Sequence, residues 1–126
     1  MTTTPGLTPS TLPAATSPAD PSIEEVRQLE LAYWEAFNAY DADQVLAYLE
    51  ESYRATRDEI IRSEIGQIRS FGVKLGVQEQ SPPVLLSSDT AEVYLDLRNP
   101  LGVRRIRMAF ERVDGDWAIT FAEETD

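Results

Sequence analysis

From Leu101 to Ala122 the chain reads LGVRRIRMAFERVDGDWAITFA, and apolar and polar side chains alternate on both sides of Asp114-Gly115. Asp-Gly accepts the positive φ angles of a type I′ turn, so the pattern predicts a two-residue hairpin. Closing it with Val113 opposite Asp116 sets Arg112 against Trp117, Phe110 against Ile119 and Met108 against Phe121, since opposed residues point to one side of a sheet. With Ile106 these pairs make an apolar face, and Arg112 over Trp117 would cap the hairpin end by a cation–π contact. The other face would carry Arg107, Ala109, Glu111, Ala118, Thr120 and Ala122.

Upstream, Ala91 to Arg98 alternates in the same way. Closing the Asn99 to Gly102 turn with Arg98 opposite Val103 places Leu95 beside Ile106 and Val93 beside Met108, so the two hairpins agree about which face is apolar. The same register sets Tyr94 opposite Arg107 and Asp96 opposite Arg105 on the outside. A structural ion pair, contributing about 0.2–1 kcal/mol, is the role expected of Asp96. Earlier still, Val73, Leu75 and Val77 alternate up to Gln80, Pro82-Pro83 interrupts the ladder, and Val84 to Ser87 leads into the longer strand.

Before Gly72 the period is 3.6 rather than 2. Ser22 with Glu25 has the spacing of a capping box, and Ile23, Val26, Leu29, Tyr33, Ala36, Phe37 and Tyr40 then form one stripe of a first helix. Glu30 falls within that stripe, among Val26, Tyr33, Trp34 and Phe37. Asp41 with Gln44 predicts a second helix from about Ala42 to Glu51, burying Val45, Leu46 and Leu49. Thr56 with Glu59 predicts the start of a third, carrying Ile60, Ile61, Ile65, Ile68 and Phe71 and stopping at Gly72, with Gly66 inside it at a cost of roughly 1 kcal/mol relative to alanine. Helices followed by an antiparallel meander give an α+β fold.

Residues 1–21 stand apart. Between Thr2 and Ser22 lie five of the eight prolines, six threonines and three serines, with Asp20 the only charge, a composition expected to stay disordered as a tail or tether ahead of one domain over 22–126. A signal segment preceding Met1 would make the protein secreted or tethered at the cell surface; otherwise it is expected in the cytoplasm. A formal charge of −11 argues against nucleic acid and anionic membranes as partners. There is no cysteine and no histidine, which removes thiol chemistry and the commonest general base and metal ligand, and neither a cofactor nor a metal is expected. No run approaches the ~20 apolar residues that span a bilayer.

The helix text AYWEAFNAYDADQVLAYL, the strand text SSDTAEVYLDL and the turn text VDGDWAI, in that order, resemble the NTF2-like superfamily and within it the SnoaL-like small domains. Ala36, Phe37, Asp41 and Leu46 fall where that family's helix 1 to helix 2 junction would place them. The resemblance spans Ser22 to Ala122. It implies three N-terminal helices packed in a curved, mostly antiparallel sheet, an apolar pocket inside the cone, and dimerisation through the sheet's outer face. Catalytic members use Asp or His with Tyr inside the cone. This chain departs from them by lacking histidine and by leaving only Ser52 to Ala55 between the second and third helices.

An isomerase-type site needs a carboxylate in a dry cavity with a donor for the developing oxyanion. The strand register turns Asp96 and Glu111 outward, leaving Glu30 as the candidate base and Tyr33, Tyr48 and Tyr53 as donors, Tyr53 the one paired with it as a candidate catalytic residue. The structural alternative is that Glu30 reaches solvent at the stripe's edge or pairs with an arginine such as Arg57. Tyr33, Trp34, Phe37, Tyr48, Met108, Phe110 and Trp117 are the expected pocket wall, or else simply core. Tyr94, Asp96, Arg105, Arg107, Ala109, Glu111 and Thr120 are the expected face of a homodimer. The sequence therefore reads as a non-enzymatic NTF2-like module that binds a small apolar ligand or a protein partner. The alternative is a SnoaL-like isomerase, cyclase or hydrolase using Glu30 and a tyrosine.

Overall fold

The computed structural model describes residues 21–125, so the Thr/Pro/Ser-rich segment lies outside the described residues. Helices α1 (Pro21–Asn38), α2 (Ala42–Ala47) and α3 (Glu51–Ser70) precede strands β1 (Gly76–Glu79), β2 (Val84–Leu85), β3 (Thr90–Asn99), β4 (Gly102–Val113) and β5 (Asp116–Glu124). The sheet is antiparallel in the order β1-β3-β4-β5, with β2 pairing β3 beyond β1. This is the expected α+β arrangement of three helices against a curved sheet. Among the described residues no helix is long and apolar enough to cross a membrane.

The hairpin registers hold as read along β3 and β4: Tyr94 pairs Arg107, Leu95 pairs Ile106 and Val93 pairs Met108. Asp114 and Gly115 both have positive φ, as the tight turn requires. The alternation fails near the end of β5. Phe110 pairs Ile119 but Ala109 pairs Phe121, so Thr120 is an extra residue and the strand bulges there. Everything after it changes sides. Ala122, not Phe121, faces Met108 and is buried, while Phe121 lies opposite Ala109 with the Arg107 guanidinium 5.2 Å over its ring. On the outer face Asp96 is opposite Arg105 as expected, but its carboxylate accepts from the Gln80 amide, and the ion pair forms instead between Arg107 and Glu92 at 3.2 Å.

The helices also begin and end where tertiary bonds compete with local signals. The Tyr48 carbonyl accepts from Ile119 N–H and Glu50 N–H donates to the Ile119 carbonyl, so the chain leaves α2 at Ala47 to run beside β5. The Glu50 carboxylate then accepts from Ser52 and Tyr53 N–H, capping α3 well before Thr56, whose hydroxyl bonds the Tyr53 carbonyl inside the helix. Arg54 donates to the Leu46 and Leu49 carbonyls at and just beyond the end of α2. The first strand is shorter than its alternation predicts because α1 takes its backbone groups: Asn38 bonds both N–H and C=O of Leu75, and the Tyr40 hydroxyl donates to the Val73 carbonyl.

The core lies between α1 and the inner sheet face. Val26, Trp34 and Phe37 pack toward Leu95, Met108, Phe110 and Ile119, and the Trp34 indole N–H donates to the Met108 sulfur at 3.3 Å. At the hairpin end Arg112 sits 4.6 Å over the Trp117 ring, donates to the Ser22 hydroxyl, and the Trp117 N–H bonds Glu25. Ser22 and Glu25, expected as a capping box, both lie inside α1, which starts at Pro21, and fasten the start of that helix to the sheet.

The exposed edge of β5 is closed by Tyr53, whose hydroxyl accepts from Ala122 N–H at 3.0 Å and donates to Glu123 at 2.8 Å. Tyr53→Phe leaves that N–H without its partner, and urea unfolding should show a loss of about 1–3 kcal/mol with an unchanged denaturant slope; an unchanged midpoint would mean that the bond contributes nothing net.

Candidate functional site

One open cavity of about 900 Å³ lies between α3, the C-terminal half of α1 and the concave sheet face. Its floor is aromatic. Tyr33, Trp34 and Phe37 stack edge-on and tilted with ring centroids 4.9–5.2 Å apart, a rigid arrangement held by the α1 stripe. Leu97 and Ile106 from the sheet, with Ile68, Val73 and Leu75, supply the rest of the apolar wall. Ala122 reaches the cavity because the bulge turns it inward, and a small residue there keeps the space open. The hydrogen bonds from Asn38 and Tyr40, at and just beyond the end of α1, fix Leu75 and Val73, so the wall on that side is held by the end of α1.

The polar lining is concentrated where α3 meets β5. Arg57, Glu64, Arg104, Glu123 and Glu124 line it. Arg57 pairs with Glu123 at 3.8 Å, and Glu123 also accepts from Tyr53. Glu64 is open to solvent through the mouth yet hemmed in by protein. Partial burial raises its carboxyl above the usual range; Arg57 and Arg104 pull it down and Glu123 pushes it up. Tyr33 is 2 % exposed, lines the cavity and forms no hydrogen bond with a described residue. Burial, then the neighbouring Tyr53, Glu64 and Glu123, raises the Tyr33 phenol, so it stays protonated as an available donor. Burial likewise pushes Tyr53 up to about 12.

The sequence-predicted residues divide. Tyr33, Trp34 and Phe37 line the cavity. Met108 and Phe110 lie beneath it as closed core. Tyr48 and Trp117 line a separate depression of about 320 Å³ on the other side, with Leu29 and Val113. Tyr53 is at the β5 edge. Of the expected outer face, Tyr94, Asp96, Arg107, Ala109 and Thr120 are half-buried, whereas Arg105 and Glu111 are exposed. Arg57, expected as a partner of Glu30, pairs instead with Glu123, and Glu64, Arg104 and Glu123 are further cavity residues. Their signal was weak, since charges on a helix at Arg57 and Glu64 read as a solvated face.

Glu30 is the main departure. It neither reaches solvent nor pairs with Arg57: it is 0 % exposed and is absent from the cavity wall, because it sits one turn before Tyr33 on α1. As a carboxylate neither of its oxygens has a donor, but as an acid it donates to Glu79, which is itself bound by Arg27 at 3.2 Å. Burial first, then that bond and the Glu79 charge, push Glu30 up to about 9 against the pull of Arg27. The group is thus a neutral acid at neutral pH. Its placement does not support the role of a pocket base.

Between the ordinary glutamate value of 4.5 and about 9 the folded state holds the Glu30 proton and the unfolded chain does not. This contribution to stability is complete below the lower value and is lost as pH rises through the upper one, by at most about 1.4 kcal/mol per pH unit. Urea midpoints measured from about pH 5 to about pH 8 should therefore fall more steeply with pH in the native chain than in Glu30→Gln; parallel profiles would show that the carboxyl is not buried as described.

No family model matches the chain, and no curated protein matches it. Solved structures do. An NTF-2 like protein of unknown function from Shewanella oneidensis is 18% identical, with a TM-score of 0.62 over 85% of this chain and 100% of the other. A putative calcium/calmodulin-dependent protein kinase type II association domain from Thiobacillus denitrificans is 17% identical, with a TM-score of 0.65 over 78% and 91%. A protein of unknown function with a cystatin-like fold from Nostoc punctiforme is 14% identical, with a TM-score of 0.59 over 80% and 87%. At such identities what is shared is the architecture, and with the helices cradled by a curved antiparallel sheet it establishes that this chain has the NTF2-like, cystatin-like fold.

Proposed function

We propose that the protein is a binding module that takes a small, mainly apolar ligand into the cavity between α1, α3 and the sheet. The observation that carries this reading is the open space of about 900 Å³ over the Tyr33, Trp34 and Phe37 floor. A cavity of that size is ample for a drug-sized ligand, and its aromatic floor gives an apolar ligand a surface to bury against while the charged groups of the rim orient it. Binding is favoured over catalysis by the expected base because Asp96 and Glu111 lie on the outer sheet face and the one acid on the α1 stripe, Glu30, is sealed away from the cavity. In a Trp117→Phe chain, where Trp34 is the only indole, the neutral dye Nile red should quench or shift the Trp34 emission saturably. Ala122→Phe, which fills the cavity from β5, should abolish that signal while leaving the fold intact by circular dichroism. An unchanged Trp34 spectrum would overturn the reading.

The proposal extends to a homodimer through the outer sheet face. The bulge at Thr120 favours it, because Phe121 joins Tyr94 and Ala109 on that face and adds apolar area to the Arg105, Arg107 and Glu111 charges. A solved structure of the same fold is described as an association domain. Light scattering should report twice the 14.1 kDa chain mass, and Phe121→Asp should return the monomer. A monomer that persists at the highest attainable concentration would rule the contact out.

A further inference from the structure

We propose that the ligand of this cavity is a cationic amphiphile, an organic amine or quaternary ammonium with an apolar body; this rests on the binding reading above. The cavity is not uniformly apolar. Its α3–β5 side gathers Tyr33, Glu64 and Glu123 with Arg57, whereas Ile68, Val73 and Leu75 wall the side where the chain leaves α3. A molecule lying along α3 would meet charge at one end and hydrocarbon at the other. The exposed Phe71 and Leu101, 81 % and 94 % accessible, extend the apolar side to the mouth.

Three carboxylates and two guanidiniums line the space. Arg57 is already committed to Glu123, and no guanidinium lies within ion-pair distance of Glu64 among the described residues. Glu64 is therefore an acceptor without its own cation, partly removed from water and beside aromatic faces that attract cations in the same way. Tyr33 is 2 % exposed as a residue, lines the same space and bonds no described residue, so its hydroxyl can take up the polar head of a ligand. A chain of net charge −11 attracts cations and repels anions at long range.

A cation beside Glu64 stabilises its ionised form. Ligand affinity should therefore strengthen as pH rises through the raised titration of Glu64, with Arg57 from α3, Arg104 from β4, Glu123 and Glu124 from β5 and Tyr33 from α1 as the other groups facing it.

Phenylbutylamine, phenylbutanol and phenylpentanoate share one apolar body and differ in charge. Titrated calorimetrically into the full chain, the amine should bind at least about tenfold more tightly than the carboxylate, and Glu64→Gln should weaken the amine about tenfold, roughly 1.4 kcal/mol, while leaving the alcohol unchanged. If the alcohol binds in the cavity and the amine binds no better, the cationic preference is overturned and the binding module stands. Tighter binding of the carboxylate, with Glu64→Gln strengthening it, overturns the preference too. If none of the three binds, both readings fall.

Discussion

Between Ile119 and Phe121, β5 carries one residue more than β4 can pair, and the position of that surplus governs both what lies inside the fold and what remains open. An uninterrupted ladder would set Phe121 against Met108, directly beneath the aromatic floor of α1. With Thr120 unpaired, Ala122 takes that place and Phe121 moves to the outer face beneath Arg107. A bulge also bends and twists its strand, which is what a sheet needs in order to wrap around helices instead of lying flat against them. The small side chain at Ala122 then leaves volume unfilled, and that volume adds to the cavity.

The same strand is an edge, and its backbone groups need partners other than water. Tyr48 to Glu50 runs beside Ile119, and one turn later the Tyr53 hydroxyl takes the Ala122 N–H. These bonds explain why α2 is so short and why α3 begins at Glu51. They also orient α3 so that Arg57 and Glu64 line the cavity, Glu64 at its solvent-open mouth. Edge protection and construction of the polar end of the cavity are thus one arrangement, made by residues that read in isolation as ordinary helix termini and helix surface.

Along α1 the boundary between closed core and open cavity falls within a single turn. Tyr33, Trp34 and Phe37 face space that a ligand could occupy, while Glu30, on the same stripe, is enclosed beside Glu79 and Arg27. A carboxyl in that position without a full complement of hydrogen bonds stays protonated at neutral pH, and its effect is on stability. The titratable chemistry that faces the cavity comes from α3 and β5 instead.

Periodicity and turn chemistry by themselves determined the α+β order, the apolar face of β3 and β4, the Asp114-Gly115 turn and the α1 stripe, because each is set by side chains close together in the chain or directly opposed across a tight turn. Helix 2 and helix 3 were legible as elements but not in their limits: Thr56 with Glu59 carries a valid cap signal, yet the Glu50 carboxylate and the pairing with Ile119 form first along the chain and satisfy the backbone there. The bulge at Thr120 left no mark, since ITFA alternates as well with Phe121 inward as outward, and only packing against Met108 and Tyr53 distinguishes the two. Whether Glu30 faces a cavity, and whether Arg57 and Glu64 do, depends on where α3 crosses the sheet. That crossing is a contact between segments far apart in sequence, and only the tertiary structure decides it.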